Sequence, residues 1–363
     1  MTAGPATAEP LAGAAGLRPQ LARRLGWAAV AWIALVDAAL WWIYYRPAPK
    51  ELFLDEWQYF WNSESLLLGQ SGNPYLIWPP AQGELLAALR RALGDLAPAI
   101  LAMQLWHTVL VLGVAVIAGD LARRVSGSRT VGAAAGLLFL AHPSMLAFSQ
   151  YLFADSPYLA FLLLSVWLPV RFRGRPRASP WAAAAGGAAW GTSLLFKSAG
   201  AYAWPLWLLV LRPPAPLRPL RGWLPRLALH AALFLAVGMA VTLPARLDSW
   251  REHGEWVIAD TSVFSLWVGV NEKWRSDVYL DENGIMLGEY LASAESPAER
   301  REIYRRKVRE RVAERGLWAV FVEKVALQPY RLLSAKTNFV SQLPGPACRG
   351  HLPSYEEPRP SLV

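Results

Sequence analysis

The sequence predicts an all-α membrane protein, a polytopic helix bundle of about seven spans with interfacial helices in its first outer loop. Three observations carry this. Of 363 residues, 54% are hydrophobic and only 17% are charged, against about 25% charged in an average soluble domain. Apolar runs recur near the ~20-residue length that crosses a bilayer. Arg residues gather in the short segments between those runs, as expected when charge orients a chain during insertion. The net charge of +9 therefore needs no nucleic acid as a partner.

The elements follow in order. Residues 1–25 read as a disordered cytoplasmic tail, first rich in Ala, Gly and Pro, then basic at Arg18, Arg23 and Arg24. The run 26–45 is the first span; it is long for a signal-peptide core, and no small-residue cleavage site follows it. Residues 46–99 form the first outer loop. There, FLDEWQYFWNSESLLLG (53–69) sets Trp57, Phe60 and Trp61 at helical spacing beside adjacent carboxylates, Asp55 and Glu56. The stretch WPPAQGELLAALRRALG begins at the stiff Pro79, Pro80 turn. It continues as an amphipathic helix around Leu85, Leu86, Leu89 and Leu93, suited to a membrane surface.

Further spans are expected at 100–119, 131–148, 154–170, 181–197, 199–212 and 226–244, completing a transmembrane module over 26–245. The run 199–212 is short and contains Pro205, so it reads as tilted, kinked or half-inserted. Arg123, Arg124 and Arg129, then Arg171, Arg173, Arg175 and Arg177, then Arg212, Arg218, Arg221 and Arg226 all fall on the side of the basic N-terminus. Residues 246–363 are read as an extracytoplasmic segment. Within it, Ser296 and Glu299 form a capping box with Pro297 at the first helical position, and Gly316 is a stop. Lys324, Gln328 and Arg331 share one face of 317–334, which favours an interfacial helix over an eighth span.

This topology places several groups that are hard to bury on the outer side: Asp55 and Glu56, Asp155 at the end of the fourth span, Lys197 at the end of the fifth, and Asn271. Ionisable groups at membrane depth are costly unless paired or hydrated, and so are functional candidates. Taken singly, Asp155 fits a helix cap equally well, Lys197 a snorkelling anchor, and Asn271 a turn. Together they suit proton transfer beside a cation for a phosphate. Asp37, midway along the first span, needs a partner within the bundle. His107, His142 and His230 form no i, i+4 ligand pair and read as core or interface residues. The single cysteine, Cys348, excludes an internal disulfide and a Cys-based metal site. No Gly-rich phosphate loop, HExxH or GxSxG pattern occurs.

The order of segments resembles the GT-C membrane glycosyltransferases, in particular the protein O-mannosyltransferase and aminoarabinose-transferase-like group. The resemblance rests on Asp55, Glu56, Tyr59 and Gly69 in the first loop, the Pro-Pro turn and its helix, the Arg-rich inner turn DLARRVSGSR, and Asp155 opening the fourth span. It extends to LLFKSAG, where Lys197 stands for the group's Arg, and to WVIADTSVFSLWVGVNEKW, where Gly269 and Asn271 match. Ala81, Gln82 and Gly83 depart from the group's Gly-Tyr-Pro, and further C-terminal spans of relatives have no counterpart here.

The resemblance implies an inverting transfer of a sugar from a polyprenyl-phosphate donor at the extracytoplasmic face of the cell membrane. The acceptor would be an envelope lipid, glycan or protein. Asp55 would take the acceptor proton, with Glu56 and Asp155 orienting Asp55, the acceptor or a divalent ion; Tyr59, Lys197 and Asn271 would bind substrate. No cofactor is identified, and a divalent metal is left open. A membrane partner supplying the missing spans is a further expectation. Two other classes compete: a lipid-linked sugar transporter or flippase, which should carry its ionisable groups at mid-membrane, and a non-catalytic scaffold of an envelope complex.

Overall fold

The computed structural model describes residues 19–44, 52, 55–173, 175, 179–203, 207, 210–211, 224–260, 262–270 and 280–333. These form thirteen α-helices and no strand: α1 (Pro19–Tyr44), α2 (Asp55–Leu67), α3 (Ala81–Leu93), α4 (Leu96–Ser126), α5 (Arg129–Leu140), α6 (Pro143–Gln150), α7 (Asp155–Arg171), α8 (Ser179–Phe196), α9 (Leu224–His253), α10 (Ser262–Val270), α11 (Leu280–Ala292), α12 (Pro297–Arg315) and α13 (Leu317–Leu333). A 3₁₀ turn, Ser198–Ala203, follows α8. Residues 1–18, then 204–206, 208–209 and 212 of the run 199–212, and Asn271 and Cys348 lie outside the described residues.

The all-α membrane class is as the sequence predicts. Helices α1, α4 and α9 are long and apolar enough to cross a bilayer, and α5 with α6 adds a fourth crossing if the pair is one broken span, bent by 57°. The break corrects the continuous span expected over 131–148. Pro143 has no N–H to continue the α5 ladder, and the His142 ring caps the new helix by accepting from Ser144 N at 3.3 Å. Helices α7 and α8 have 17 and 18 residues.

Packing in lipid gains nothing from the hydrophobic effect between helices, so small residues that admit close backbone contact decide it. Helix α8 is mainly Ala, Gly and Ser along its length and packs against both α7 and α9. A Cβ at Gly187 would collide with the carbonyl of Phe234, and one at Gly191 would lie 2.5 Å from that of Gly238. Only glycine allows α8 and α9 to lie so close. Trp190, Leu194, Trp207 and Phe234 fill the core beside them.

The two ends of the bundle differ in chemistry. At one end Asp120 of α4 accepts from Arg123 at 2.5 Å and Arg124 at 2.7 Å, and from Trp167 Nε1 of α7 at 2.8 Å, with Arg171 at 3.5 Å. The Arg-rich segments after α4 and α7 are therefore on one side. Asp155, at the other end of α7, is 16 residues from Arg171, about 24 Å at helical rise.

At that opposite end the first loop folds back on the bundle. Arg90 of α3 bonds Glu64 at 2.5 Å and Ser63 at 3.0 Å while lying over the Phe60 ring, fixing α3 against α2. Leu86 and Ala87 of α3 are fully buried, so its apolar face is used within the protein. The later helices form a small core of Val263, Tyr290 and Tyr304 around Ile77 of the first loop. Arg301 joins Glu255 at 2.5 Å and Asp260 at 3.1 Å, and Arg300 Nη2 donates to Tyr75 O at 3.0 Å. Ser296 Oγ accepts from Glu299 N at 3.1 Å, as the capping box predicts. Helix α13 packs against α12 and exposes Leu317, Trp318, Phe321 and Val325.

Candidate functional site

Asp55 and Glu56 open α2, where negative charge meets the positive end of the helix dipole. Successive helical residues diverge by about 100°, so the two carboxylates meet different surroundings. Glu56 is completely buried, and its Oε1 accepts from Leu152 N at 2.6 Å. Asp55 is exposed. The surrounding protein pushes its pKa upward; Lys197 opposes this, while Asp155 and Glu56 add to it. Asp55 thus feels three charged residues that are distant in sequence or turned away from it.

Asp155 is the first residue of α7, and Lys197 follows the last residue of α8. Lys197 Nζ donates to Asp155 Oδ1 at 2.7 Å, and both side chains stay partly exposed, at 47% and 37%. Both members of the pair act on the ionisation of Asp55, Lys197 lowering its pKa and Asp155 raising it. Tyr59 lies one turn after Asp55 and is buried. Its phenol meets the Ala154 backbone, and burial together with Asp55 and Asp155 raises its pKa. It is a neutral hydroxyl beside two carboxylates.

The structure therefore brings Asp55, Tyr59, Asp155 and Lys197 together, with Glu56 directed away into the protein. Asn271 lies outside the described residues. Among the described residues, no three His, Cys, Asp or Glu side chains are placed to hold a metal ion.

Sequence reasoning passed over Arg246, which stands just beyond the expected end of its span. It lines a cavity of 640 Å³ together with Leu194, Ser198, Ala199, Ile258 and Leu266. The cavity opens next to Lys197 in the chain, because Ser198 is the following residue. Arg246 is half-buried; its Nε donates to Thr242 Oγ1 at 3.1 Å and its Nη1 to the Trp256 carbonyl at 3.3 Å. Asp260 lines the same cavity, and its carboxylate is paired with Arg301 at 3.1 Å. A guanidinium on an apolar wall suits an anionic head with a greasy tail.

Residues 92–213 match the family model of the dolichyl-phosphate-mannose-protein mannosyltransferases. This supports the GT-C likeness read from the sequence, over a stretch that includes Asp155 and Lys197 and excludes Asp55 and Glu56. No curated protein and no solved structure matches the chain.

Proposed function

We propose, from the mannosyltransferase-family match over residues 92–213 and the site beside it, that this chain is a membrane glycosyltransferase using a polyprenyl-phosphate sugar donor. The observation that carries the reading is the meeting of Asp55 with the ion pair of Lys197 and Asp155, next to an apolar cavity edged by Arg246. These are the parts that such a transfer requires. Asp55, ionised, takes the proton of an acceptor hydroxyl as its oxygen attacks the anomeric carbon. The bond from that carbon to the phosphate oxygen breaks on the opposite face, and its electron pair leaves with the polyprenyl phosphate. The configuration inverts. The departing group is already an anion, so cations serve it better than an acid; Arg246 and Lys197 supply them.

The site lies at the end of the bundle opposite the Arg-rich segments, which under the positive-inside rule is the extracytoplasmic end. The acceptor is an envelope lipid, glycan or protein hydroxyl brought to that surface. Tyr59, held neutral, offers a hydroxyl that orients substrate or Asp55.

The test is Asp55→Asn in reconstituted membranes, with thermal stability measured alongside. Asn nearly matches Asp in shape and cannot accept a proton at neutral pH. Turnover is expected to fall by about 10²-fold or more, the range for a lost general base, with insertion and stability kept. Wild-type turnover in this variant would remove Asp55 as the base and the mechanism with it.

A further inference from the structure

The link between α6 and α7 is an unusual piece of chain. Tyr151, Leu152, Phe153 and Ala154 are exposed by 1%, 0%, 4% and 1%, although connecting segments normally run over the surface because their backbone groups need partners. Here the partners are side chains from three other helices. Gln104 Nε2 of α4 donates to Gln150 O at 3.3 Å, and His107 Nδ1 meets Tyr151 O at 2.6 Å. Gln82 Nε2 of α3 donates to Leu152 O at 2.6 Å, and Glu56 Oε1 of α2 accepts from Leu152 N at 2.6 Å. The Tyr59 phenol meets the Ala154 backbone.

The grip is itself ordered. A carbonyl can only accept, so His107 carries its hydrogen on Nδ1 and its Nε2 is the acceptor. That nitrogen lies 3.4 Å from Gln82 Nε2. One amide group therefore links the histidine to the Leu152 carbonyl. Gln82, Gln104, His107 and Glu56 are all fully buried. Burying four polar side chains is costly unless they are bonded, and their bonds converge on the five residues before Asp155, although Gln82 Oε1 has no partner among the described residues.

We infer that Gln82, His107 and Glu56 are positioning residues, which set Asp155, and through it Lys197, against Asp55 by clamping residues 150–154. The inference rests on the transfer reading above for the role of Asp155, while the clamp itself does not. A shift of about 1 Å at a reacting geometry costs on the order of 10²-fold in rate, so a loop that carries a charged residue into the site must be held. Apolar packing alone would not fix the azimuth of α7 at its first residue; bonds to successive peptide groups do.

The experiment uses the full chain in nanodiscs. Gln82→Leu removes the donor to Leu152 O and the contact with His107. Amide exchange over 151–158 is expected to rise by about 10-fold or more, as for a locally opened segment, with exchange elsewhere unchanged. Turnover, kcat, is expected to drop by about 10-fold or more while donor KM stays within about 2-fold, the pattern of an interaction felt in the transition state. In an Asp155→Asn background the same substitution should cost nothing further, because both act through one group. His107→Asn keeps a donor near Nδ1 and should recover much of the turnover that His107→Leu loses. Where Gln82→Leu fails to insert, Gln82→Asn, whose amide falls short, takes its place.

Unchanged exchange overturns the clamp. An equal kcat loss with and without Asp155 overturns its action through that residue. Wild-type turnover by Asp155→Asn, with exchange raised in Gln82→Leu, removes the transfer role of Asp155 and leaves the clamp standing, since exchange is read without donor or acceptor.

Discussion

Lys197→Gln and Asp155→Asn are expected to move the acid limb of turnover in opposite directions. The pKa of Asp55 is raised above 3.8 by its surroundings, with Lys197 pulling it down and Asp155 and Glu56 pushing it up. A general base works only when ionised, so turnover is present above the folded pKa of Asp55 and is lost as pH falls through it. Removing Lys197 leaves the raising influences unopposed, and the limb moves to higher pH. Removing Asp155 deletes a negative neighbour and frees Lys197 to act on Asp55, and the limb moves to lower pH. The Lys197 and Asp155 side chains are 47% and 37% exposed, so solvent screens both influences and keeps the two displacements modest. The assay is kcat/KM against pH in reconstituted membranes, which reports the free enzyme. Raising the salt should shrink both displacements. Limbs that move the same way, or do not move, would refute the charge arrangement assigned to the site.

Three other outcomes follow from particular residues. Arg246→Gln should raise donor KM by about 10-fold or more, the worth of a charge-assisted hydrogen bond, with a smaller change in kcat; an unchanged donor KM would take Arg246 out of the donor site. Gly187→Ala should destabilise the protein by about 1–3 kcal/mol or more through overpacking against the Phe234 carbonyl, seen as a lower thermal midpoint in detergent, whereas Gly113→Ala, with open space around it, should not. Asp37 is 4% exposed and neither of its oxygens has a hydrogen-bond partner among the described residues, so Asp37→Leu should raise thermal stability and preserve transfer; loss of lipid-linked sugar movement in that variant would favour the transporter class instead.

Hydropathy reads one helix at a time, and it served well where one helix was the question. The apolar lengths at α1, α4 and α9, the capping box at Ser296 and the helix stop at Gly316, whose φ is +80°, all depend on local chain. The third span shows the limit. Its apolar composition runs straight through His142 and Pro143, while the missing N–H of a single residue turns the chain by 57°. The amphipathic face of α3 reads from the sequence as one for the membrane, because nothing local says that Leu86 packs with Ile100 and Met103 of α4. The position of a helix in a bundle is a tertiary fact.

The site shows the same division at closer range. Adjacent acids read as a pair, and the sequence could say that something charged belonged at the end of the first span. It could not separate them, because the separation comes from the partner each one faces. Asp55 meets a lysine and an aspartate that are 42 residues apart, whereas Glu56 meets a peptide N–H 96 residues away. The sequence marks His107 only as a core or interface residue, Gln82 only as a departure from a family pattern, and Gln104 not at all, for the same reason: each is an ordinary polar residue until a buried backbone is laid across it. An exposed carboxylate is easily found in a sequence and is poorly placed on its own. What gives Asp55 its setting is the buried polar floor beneath Asp155, where three helices spend side chains on a link that apolar packing could have filled.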